Sequence, residues 1–503
     1  MRMISRFVRE QRRYTKDELK KRFDFDSEEA LERFIRTLKT FGVLKSVRNT
    51  DVQQEMSDIA DEDIEITDGT EQSGVCLYVF VYVGVITCGR RVIKVYPKYL
   101  LSKYSEEEKI DKMRRIVKVL ERYSNSEEQI INIYNGDGDN KSFNLLAVIL
   151  FLLKDYFEYG VYTNSEEIIE VNGEGDILWG KTIDESFALL SENKPYYMEL
   201  YTRKTVDDDM DYFKRLHEYV ITECSKQLKE AELTELFGLE TAEISDAEMD
   251  DFGDKEYILE KIFKELNVQY NTRKQILLKT IYAYISQDKK LFDDNTGFSM
   301  YGTTAYHAVW EKMCAEIFDN KLNKTLRQLQ LTKKNLPTLP MPKVDYMVDG
   351  KLIEVIGKPI WENDEKGISV PAQETLIPDL ITFYEKDGEK QFIIFDAKYY
   401  NITLEKRHGN DVIKGNPGVG DVTKQYLYHL AYKEFLDVFG FTRVRNCFLM
   451  PTEENEIIKY GKVRMPILEQ IGLENIQIRL LPGDKVAEMY LANQKMDIGL
   501  LEL

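Results

Sequence analysis

The sequence predicts a mixed α/β protein of several domains, and three observations lead to that prediction. The chain has 503 residues, and at about 150 residues per domain this length corresponds to roughly three domains. Segments with helical periodicity alternate with short runs rich in β-branched and aromatic residues. The hydrophobic fraction is 43% and the charged fraction 31%, a composition that excludes a wholly disordered or membrane-spanning chain.

Three features indicate the setting in which the protein works. The longest unbroken apolar runs, residues 75–83 and 145–153, have nine residues each, whereas about 20 are needed to cross a bilayer. The first residues, MRMISRFVREQ, contain no apolar signal-peptide core. Five scattered cysteines without a CxxC pair predict neither a disulfide framework nor a zinc site. We therefore expect a cytoplasmic protein that makes no membrane contact.

Acidic residues dominate the net charge of −19, but they are concentrated in two tracts. Residues 51–74 hold nine acidic and no basic side chains, and residues 230–256 hold eleven acidic and one basic. The first fifty residues hold fourteen basic and eight acidic side chains. Net charge therefore does not exclude binding to DNA. We interpret tract 51–74 as a linker and tract 230–256 as an insertion, both solvated; partner docking or DNA mimicry is the alternative.

Residues 1–50 predict a winged helix-turn-helix domain. Thr15 and Glu18 have the spacing of a capping box, and Asp26 and Glu29 repeat it before a second helix. That helix places apolar residues on one stripe, and a glycine then ends it before a short strand. The basic second helix is the candidate DNA contact. Protein contact through the same fold is the alternative.

Residues 75–295 predict an α/β middle region. A strand hairpin at 75–96 precedes helices that begin near 105, 143, 208 and 257. The segment GEGDILWGKTID, at 173–184, predicts a turn and a short strand. The segment GDGDNKS, at 136–142, lacks the glycine that a P-loop has before its lysine, so we predict no nucleotide site in this chain.

Residues 296–503 predict a C-terminal domain with a sheet between helices. A helix at 305–318 precedes two apolar strands at 376–384 and 391–400, which the turn EKDGEK joins. A glycine-rich loop, a helix at 421–439, a strand and a last strand–helix pair follow. Both strands of the hairpin are interrupted by acidic residues, which makes the hairpin the candidate location of an active site.

The hairpin carries the strongest candidate site. Asp379 lies in the first strand after Pro378, and Asp396 and Lys398 lie in the second. Asp396 follows the apolar run FIIF, where an unpaired charge is costly to bury. Residues two apart in a strand point to the same face. The hairpin therefore predicts two carboxylates and one ammonium group around a single site.

This set of side chains suits Mg²⁺, or Mn²⁺, held by Asp379 and Asp396. Such a cation polarises a phosphodiester and lowers the pKa of an attacking water. Lys398 would orient that water and stabilise the negative charge that develops in the transition state. The predicted reaction is phosphodiester hydrolysis without a covalent intermediate.

Three further residues complete the candidate site. Glu311, in the preceding helix, can turn towards it, and the alternative is a solvated position on the helix surface. Gln425 and Tyr428, three apart on the following helix, share one face and could line the substrate groove. The alternative for that pair is ordinary packing.

The motifs IPDL, FDAKYY and KQYLY resemble those of PD-(D/E)xK nucleases, in the branch that includes McrC. GEGDILWGKTI resembles the element upstream of that nuclease domain, and HAVWE at 307–311 resembles its entry helix. With YVFVYVGVI, YPKY and the basic start, most of the chain is similar to LlaJI-type restriction endonucleases, whose nuclease subunit is McrC-like; the acidic tract 230–256 has no counterpart in that resemblance. The resemblance implies a restriction-endonuclease-like fold for 296–503 and Mg-dependent DNA cleavage by the hairpin residues.

The same resemblance implies a separate partner, a McrB-like AAA+ NTPase ring, usually GTP-driven, that translocates or remodels double-stranded DNA. The middle region, 75–290, is then the expected contact surface for the motor. Two alternatives stay open: a catalytically silent nuclease-fold adaptor that binds DNA and regulates a motor, and a transposon or recombination nuclease. The complete set of hairpin residues argues against the first, and the upstream GEGDILWGKTI element argues against the second.

Overall fold

A computed structural model describes residues 3–48, 76–102, 104–126, 134–135, 142–163, 165–191, 194–207, 211–287, 297–331, 350–386, 388–407 and 410–503. Tract 51–74 and most of segment 136–142 lie outside the described residues. The fold is mixed α/β, as predicted, and it divides into two compact units. The smaller unit comprises residues 1–3, 87–90 and 131–300, and the larger comprises 4–86, 91–130 and 301–503. Within the described parts of the chain, no helix is both long and apolar enough to span a bilayer.

Two helices and a small sheet form the beginning of the larger unit. The elements are β1 (Ile4–Arg9), β2 (Arg13–Tyr14), α1 (Lys16–Arg22), α2 (Glu28–Thr40), β3 (Leu44–Arg48) and β4 (Cys76–Phe80). Strand β4 pairs antiparallel with both β2 and β3. The capping box of Thr15 and Glu18 starts α1, as predicted. The cap of α2 is Ser27 rather than Asp26, because the Ser27 hydroxyl accepts a hydrogen bond from Ala30 N–H.

The first strand of the chain joins a second sheet through a long-range pairing. Next along the chain are β5 (Val83–Cys88), β6 (Arg91–Tyr96) and α3 (Glu106–Ser126). Strand β1 runs parallel to β6, from Ile4 opposite Arg91 to Arg9 opposite Tyr96. The observed units therefore differ from the predicted domains, since residues 76–86 and 91–126 pack with the N-terminal residues. Sequence periodicity carries no information about which distant strands pair, so the prediction could not include this.

The smaller unit combines short strands with a helical core. Its elements are β7 (Tyr134–Asn135), β8 (Ser142–Phe143), α4 (Leu145–Tyr159), β9 (Ser165–Val171), β10 (Asp176–Ile177), α5 (Trp179–Glu185), β11 (Ala188–Ser191), β12 (Lys194–Tyr197), β13 (Tyr201–Asp207), α6 (Tyr212–Glu230), α7 (Thr234–Phe237), α8 (Lys255–Val268) and α9 (Thr272–Gln287). In segment 173–184 the predicted short strand is β10, which has only two residues, whereas residues 179–184 belong to helix α5, which was not predicted. Only Thr182 of α5 is buried. The helix therefore has no apolar stripe from which the sequence could have predicted it.

The acidic tract 230–256 is packed against α6, although the sequence predicted a solvated insertion. Leu236 of α7 and Phe252 are buried. The Thr222 hydroxyl of α6 accepts hydrogen bonds from the N–H groups of Ile244 and Ser245, both at 3.1 Å. All eleven acidic side chains of the tract are nevertheless exposed. The high charge density therefore correctly predicted that the acidic side chains face solvent. It did not predict that the backbone of the segment packs against the protein, because a few apolar residues are enough to anchor it.

The C-terminal part of the larger unit is a mixed sheet flanked by helices. Its elements are β14 (Phe298–Thr303), α10 (Tyr306–Ile317), β15 (Ile360–Asn363), β16 (Ile368–Pro371), β17 (Leu380–Lys386), β18 (Glu389–Ala397), β19 (Thr403–Arg407), β20 (Asn410–Lys414), α11 (Val419–Ala431), α12 (Lys433–Phe439), β21 (Arg443–Thr452), β22 (Ile458–Val463), α13 (Pro466–Glu469), β23 (Ile476–Pro482) and α14 (Gly483–Leu491). The sheet order is β17-β18-β21-β23-β22, and β14, of which residues 301–303 belong to the larger unit, is the last strand of the sheet β1-β6-β5-β14.

Strand β18 is central to this part of the fold. It runs antiparallel to β17 and parallel to β21, so both of its edges are paired. Its residues from Phe392 to Phe395 are buried, as expected for a strand covered on both faces. The predicted hairpin is thus confirmed, whereas the hairpins β15–β16 and β19–β20 were not predicted. This rigid strand carries the candidate site at its end.

Candidate active site

The candidate site lies where β17 begins and β18 ends. In the hairpin Leu380 pairs with Phe395, so the residue before β17, Asp379, comes level with Asp396 near the end of β18. The prediction had placed Asp379 inside the strand, but the ladder starts one residue later. The Asp379 Oδ2 atom accepts a hydrogen bond from Ala397 N–H at 3.0 Å. This bond fixes one carboxylate beside the strand that carries the other.

Lys398 reaches the same place, as its spacing predicted. Its backbone N–H donates to the Leu449 carbonyl oxygen at 2.9 Å, which extends the bonding between β18 and β21 by one residue. Its Nζ atom lies 3.1 Å from Asp396 Oδ1 and 3.0 Å from Asp421 Oδ1. Two carboxylates from two elements therefore hold the ammonium group.

Asp421 is a site residue that the sequence prediction missed. It lies in the first turn of α11, and Gln425 and Tyr428 follow it four and seven residues later. This spacing places all three on one helix face. The signal was therefore present, since the face that predicted Gln425 and Tyr428 extends back to Asp421.

Negative charge exceeds positive charge in this site. Burial, followed by the neighbouring charges of Asp396 and Glu311, raises the pKa of Asp379 well above its usual range. Burial also raises the pKa of Glu311, against the opposing charges of His307 and Lys398. For Lys398, burial lowers the pKa, but the two flanking aspartates outweigh it and raise the net value. The lysine is thus held protonated, while the charged forms of Asp379 and Glu311 are disfavoured.

Helix α10 brings Glu311 to the site, as predicted. The Trp310 side chain before it is fully buried, and its Nε1–H donates to the Leu449 carbonyl oxygen at 3.2 Å. That carbonyl also accepts from Lys398 N–H, so one oxygen ties the helix and the lysine to β21. Glu311 is half-buried and close enough to Asp396 and Lys398 for their charges to act on its pKa.

Gln425 and Tyr428 are in the site but are buried, so neither lines an open groove. Tyr428 donates a hydrogen bond from its hydroxyl to the Ile377 carbonyl oxygen at 3.0 Å, which supports the chain two residues before Asp379. The side-chain amide of Gln425 is fully buried, and neither its nitrogen nor its oxygen bonds to any described residue. An unpaired buried amide is costly, and none of the described residues supplies its partner.

Asn320 is a second residue that the prediction missed. Its Nδ2 donates to the Asp379 carbonyl oxygen at 3.2 Å, and its Oδ1 accepts from the N–H groups of Leu322 and Ile381. These bonds clamp the backbone on both sides of the start of β17. No sequence signal identified Asn320, because its two partners at the start of β17, Asp379 and Ile381, are about 60 positions away along the chain.

Comparison with known proteins identifies the family. The model of the family described as LlaJI restriction endonuclease matches residues 82–345 and 346–480. The chain belongs to the LlaJI restriction endonuclease family. It is also 28% identical over 422 residues to component YdjA of the type II restriction enzyme BsuMI from Bacillus subtilis (strain 168), covering 83% of this chain and 81% of that protein.

This LlaJI family member also has distant structural neighbours. A half-complex of Thermococcus gammatolerans McrB AAA+ hexamers with bound McrC overlaps 97% of this chain and 99% of the other, with 11% identity and a TM-score of 0.34. A second structure, the McrBC complex of the same organism, overlaps 56% of this chain and 79% of the other, with 11% identity and a TM-score of 0.22. Similarity this weak supports no conclusion about the chain.

The site residues of this LlaJI family member fit a hard divalent cation. Asp396 Oδ1 is buried and lies 3.1 Å from the Lys398 ammonium nitrogen. Burial, the charge of Asp396 and a hydrogen bond with the Asp396 side chain raise the pKa of Asp379, so the two carboxyl groups are close enough together to share one cation. No three acidic, histidine or cysteine side chains among the described residues converge as a metal cluster. Mg²⁺ needs no such cluster, since it takes one or two carboxylates and keeps several waters.

Proposed function

We propose that this chain is the DNA-cleaving, McrC-like subunit of a restriction system, with a PD-(D/E)xK nuclease domain that hydrolyses double-stranded DNA in the presence of Mg²⁺ or Mn²⁺. The observation that carries this proposal is the convergence of Asp379, Asp396 and Lys398 at one end of a rigid hairpin. Membership of a restriction endonuclease family supports DNA as the substrate and favours restriction over transposition. The complete set of three residues favours an enzyme over a silent adaptor.

Each side chain has a defined part in the proposed reaction. Asp379 and Asp396 would hold the cation, which when bound supplies Lewis-acid polarisation of the phosphodiester. Lys398 stays protonated between two aspartates and can donate hydrogen bonds to the attacked phosphate or the attacking water. Glu311, whose pKa is raised, is suited to hold the proton that the water releases. Gln425 can offer its unpaired amide to a water or ligand within the site.

The N-terminal helices are the proposed DNA contact, in a winged-helix arrangement. Helix α2 presents Arg33, Arg36 and Lys39 to solvent along one edge, and basic side chains of this kind neutralise phosphates. Replacing all three with glutamate is expected to weaken DNA binding by roughly one to two orders of magnitude and to lower the salt dependence by about one unit of slope per lost contact. Fluorescence anisotropy of labelled duplex DNA over a salt series measures both.

A matched variant distinguishes the effect of losing DNA contacts at α2 from the effect of a more negative net charge. Glutamate at Lys226, Lys264 and Lys279, which are exposed in the smaller unit, changes the net charge equally. That variant should bind DNA almost as the wild type does, and equal weakening by both variants would remove the role of α2. Deletion of residues 1–50 is a poorer test, because it also removes Glu10, whose carboxylate accepts a hydrogen bond from Lys98 N–H at 3.1 Å.

The proposed partner is a separate McrB-like AAA+ NTPase, with GTP as the expected fuel. The curated relative is itself named as a component of its enzyme. The smaller unit supports a docking role, because Phe187 and Leu190 at the hairpin β11–β12 are 84% and 78% exposed. Clustered exposed apolar side chains mark interaction surfaces.

The test of the proposed function is cleavage of duplex DNA in Mg²⁺ by the chain with and without a McrB-like AAA+ NTPase from the same genome. We expect slow cutting by the chain alone and at least about tenfold faster cutting with the NTPase and GTP. Serine at Phe187 and Leu190 should remove that stimulation. Leu404→Ser, which changes an exposed apolar residue of the larger unit, should not. Rapid cutting by the chain alone, or no cutting under any condition, would contradict the proposal.

A further inference from the structure

A buried polar cluster lies directly beyond the candidate active site. Its members come from three separate parts of the larger unit: Glu10 and Gln11 after β1, Lys98 after β6, and Tyr399 and Asn401 after β18. All five are buried, and Lys98 is only 2% exposed. Burying charged groups is expensive unless they are paired and hydrogen-bonded. The bonds within the cluster therefore decide what it does.

Tyr399 is the centre of these bonds. Its hydroxyl donates to Glu10 Oε2 at 2.5 Å and accepts from Lys98 N–H at 3.2 Å. The Lys98 Nζ atom donates to Gln11 Oε1 at 3.0 Å and lies 4.7 Å from the centre of the Tyr399 ring. Asn401 Nδ2 donates to the Lys98 carbonyl oxygen at 2.8 Å. Burial, and then the charge of Glu10, raises the pKa of Tyr399 well above its usual range, so the hydroxyl keeps the proton that it donates.

The segment that supplies Lys98 is also tied to the neighbouring strand. Glu453 follows β21, and its carboxylate accepts hydrogen bonds from the N–H groups of Leu101 and Ser102 and from the hydroxyls of Ser102 and Tyr104, at 2.7 to 2.8 Å. Residues 98–102 and Tyr104 are therefore anchored at the ends of both β18 and β21. These two strands contribute Lys398 and its backbone partner Leu449.

From this arrangement we infer that Glu10 and Lys98, acting through Tyr399, are positioning residues for Lys398. Tyr399 is the next residue after Lys398, so clamping its side chain fixes the backbone from which the lysine extends. Lysine is long and flexible, and a displacement of about 1 Å in a reacting group can cost about a hundredfold in rate. The inference rests on the proposed function, because it assigns Lys398 a part in cleavage.

The central variant is Tyr399→Phe, which removes one hydroxyl and keeps the ring over Lys98. We expect it to slow single-turnover DNA cleavage by the full chain with its motor roughly ten- to a hundredfold, with unchanged affinity for DNA. Tyr432→Phe is the matched control. Its hydroxyl is also buried in the larger unit, where it donates to the Leu352 carbonyl oxygen at 3.1 Å, away from Lys398. The control should cleave as the wild type does.

Variants of Glu10 test whether the hydrogen bond itself matters. Glu10→Gln keeps an oxygen that can accept from Tyr399 and should retain most of the rate, whereas Glu10→Ala should be as slow as Tyr399→Phe. The double variant Glu10→Ala/Tyr399→Phe should lose less rate than the product of the two single losses, because both single variants remove the same Tyr399–Glu10 hydrogen bond. Additive losses, or losses that follow the unfolding temperature equally in Tyr399→Phe and Tyr432→Phe, would overturn the inference.

A readout independent of cleavage separates this inference from the proposed function. Mass spectrometry measures how fast an amine-reactive acylating reagent modifies Lys398, which is partly exposed. Loss of the tether should raise the rate in Tyr399→Phe at least about threefold and leave it unchanged in Tyr432→Phe. Unchanged reactivity in Tyr399→Phe would overturn the inference even if cleavage fell. If Lys398→Ala cleaved DNA as the wild type does, the proposed function would fail, while the reactivity measurement would still decide whether Tyr399 positions the lysine.

Discussion

Replacing Asp396 with asparagine is expected to lower DNA cleavage at least about a thousandfold, because the site would lose one of the two carboxylates proposed to hold the cation. The fold should be preserved. Asparagine has nearly the same shape, Lys398 keeps Asp421 as a partner at 3.0 Å, and Asp379 loses a neighbouring negative charge that raises its pKa. The measurement is single-turnover cleavage with the motor in Mg²⁺, together with thermal unfolding and DNA binding.

Asp437→Asn provides the control for this substitution. Asp437 is exposed on α12 of the same unit, so the same chemical change should leave cleavage intact. A thousandfold loss in Asp396→Asn with unchanged DNA affinity would assign the defect to chemistry. Cleavage by Asp396→Asn at the wild-type rate would refute the site, and with it the proposed nuclease.

The sequence could predict this site because its main elements are local. Asp396 and Lys398 are two residues apart in one strand, and the turn that joins β18 to β17 fixes which residues face each other. The register, with Leu380 opposite Phe395, brings Asp379 level with Asp396. Apolar runs interrupted by charged residues are sufficient to indicate both strands and both carboxylates from the sequence.

The contacts that support the site were not predictable in this way. Glu10 and Tyr399 are 389 positions apart and share a buried hydrogen bond. Asn320 lies in a loop with no distinctive sequence pattern. It bonds to the backbone of Asp379 and Ile381, on either side of the first residue of β17. Periodicity and capping signals extend over a few residues, whereas these bonds depend on how distant strands pair. The pairing of β1 with β6 places Glu10, which follows β1, beside the residues that follow β6. Nothing in the first fifty residues specifies that pairing.

Asp379→Asn is expected to abolish cleavage and, without metal, to make the protein more stable. Burial, followed by the neighbouring charges of Asp396 and Glu311, raises the folded-state pKa of Asp379 above its unfolded value of about 4. A raised carboxyl pKa means that protonation favours the folded state. Stability from this group is therefore fully present below about pH 4 and is lost as pH rises through the raised folded-state pKa. Asparagine mimics the protonated form and avoids that loss.

The two proteins should therefore differ in a pH-dependent way when unfolded by heat in EDTA. Below about pH 4 their unfolding temperatures should be similar, and the advantage of Asp379→Asn should grow up to the raised pKa and then level off. Above that range we expect an advantage of a few degrees, corresponding to about 1 kcal/mol or more. Adding Mg²⁺ should stabilise the wild type and reduce the difference, because only the wild type has both carboxylates.

Asp319→Asn is the control of opposite sign. Burial raises the pKa of Asp319, but hydrogen bonds from Lys321 and Lys324 outweigh it and lower the net value. Asparagine at this position should therefore lower stability at neutral pH and have little effect in acid. If Asp379→Asn behaved in the same way as Asp319→Asn, the Asp379 carboxylate would already be compensated within the chain. The argument for a divalent cation bound at Asp379 would then fail, since it depends on the unfavourable charge of that buried carboxylate.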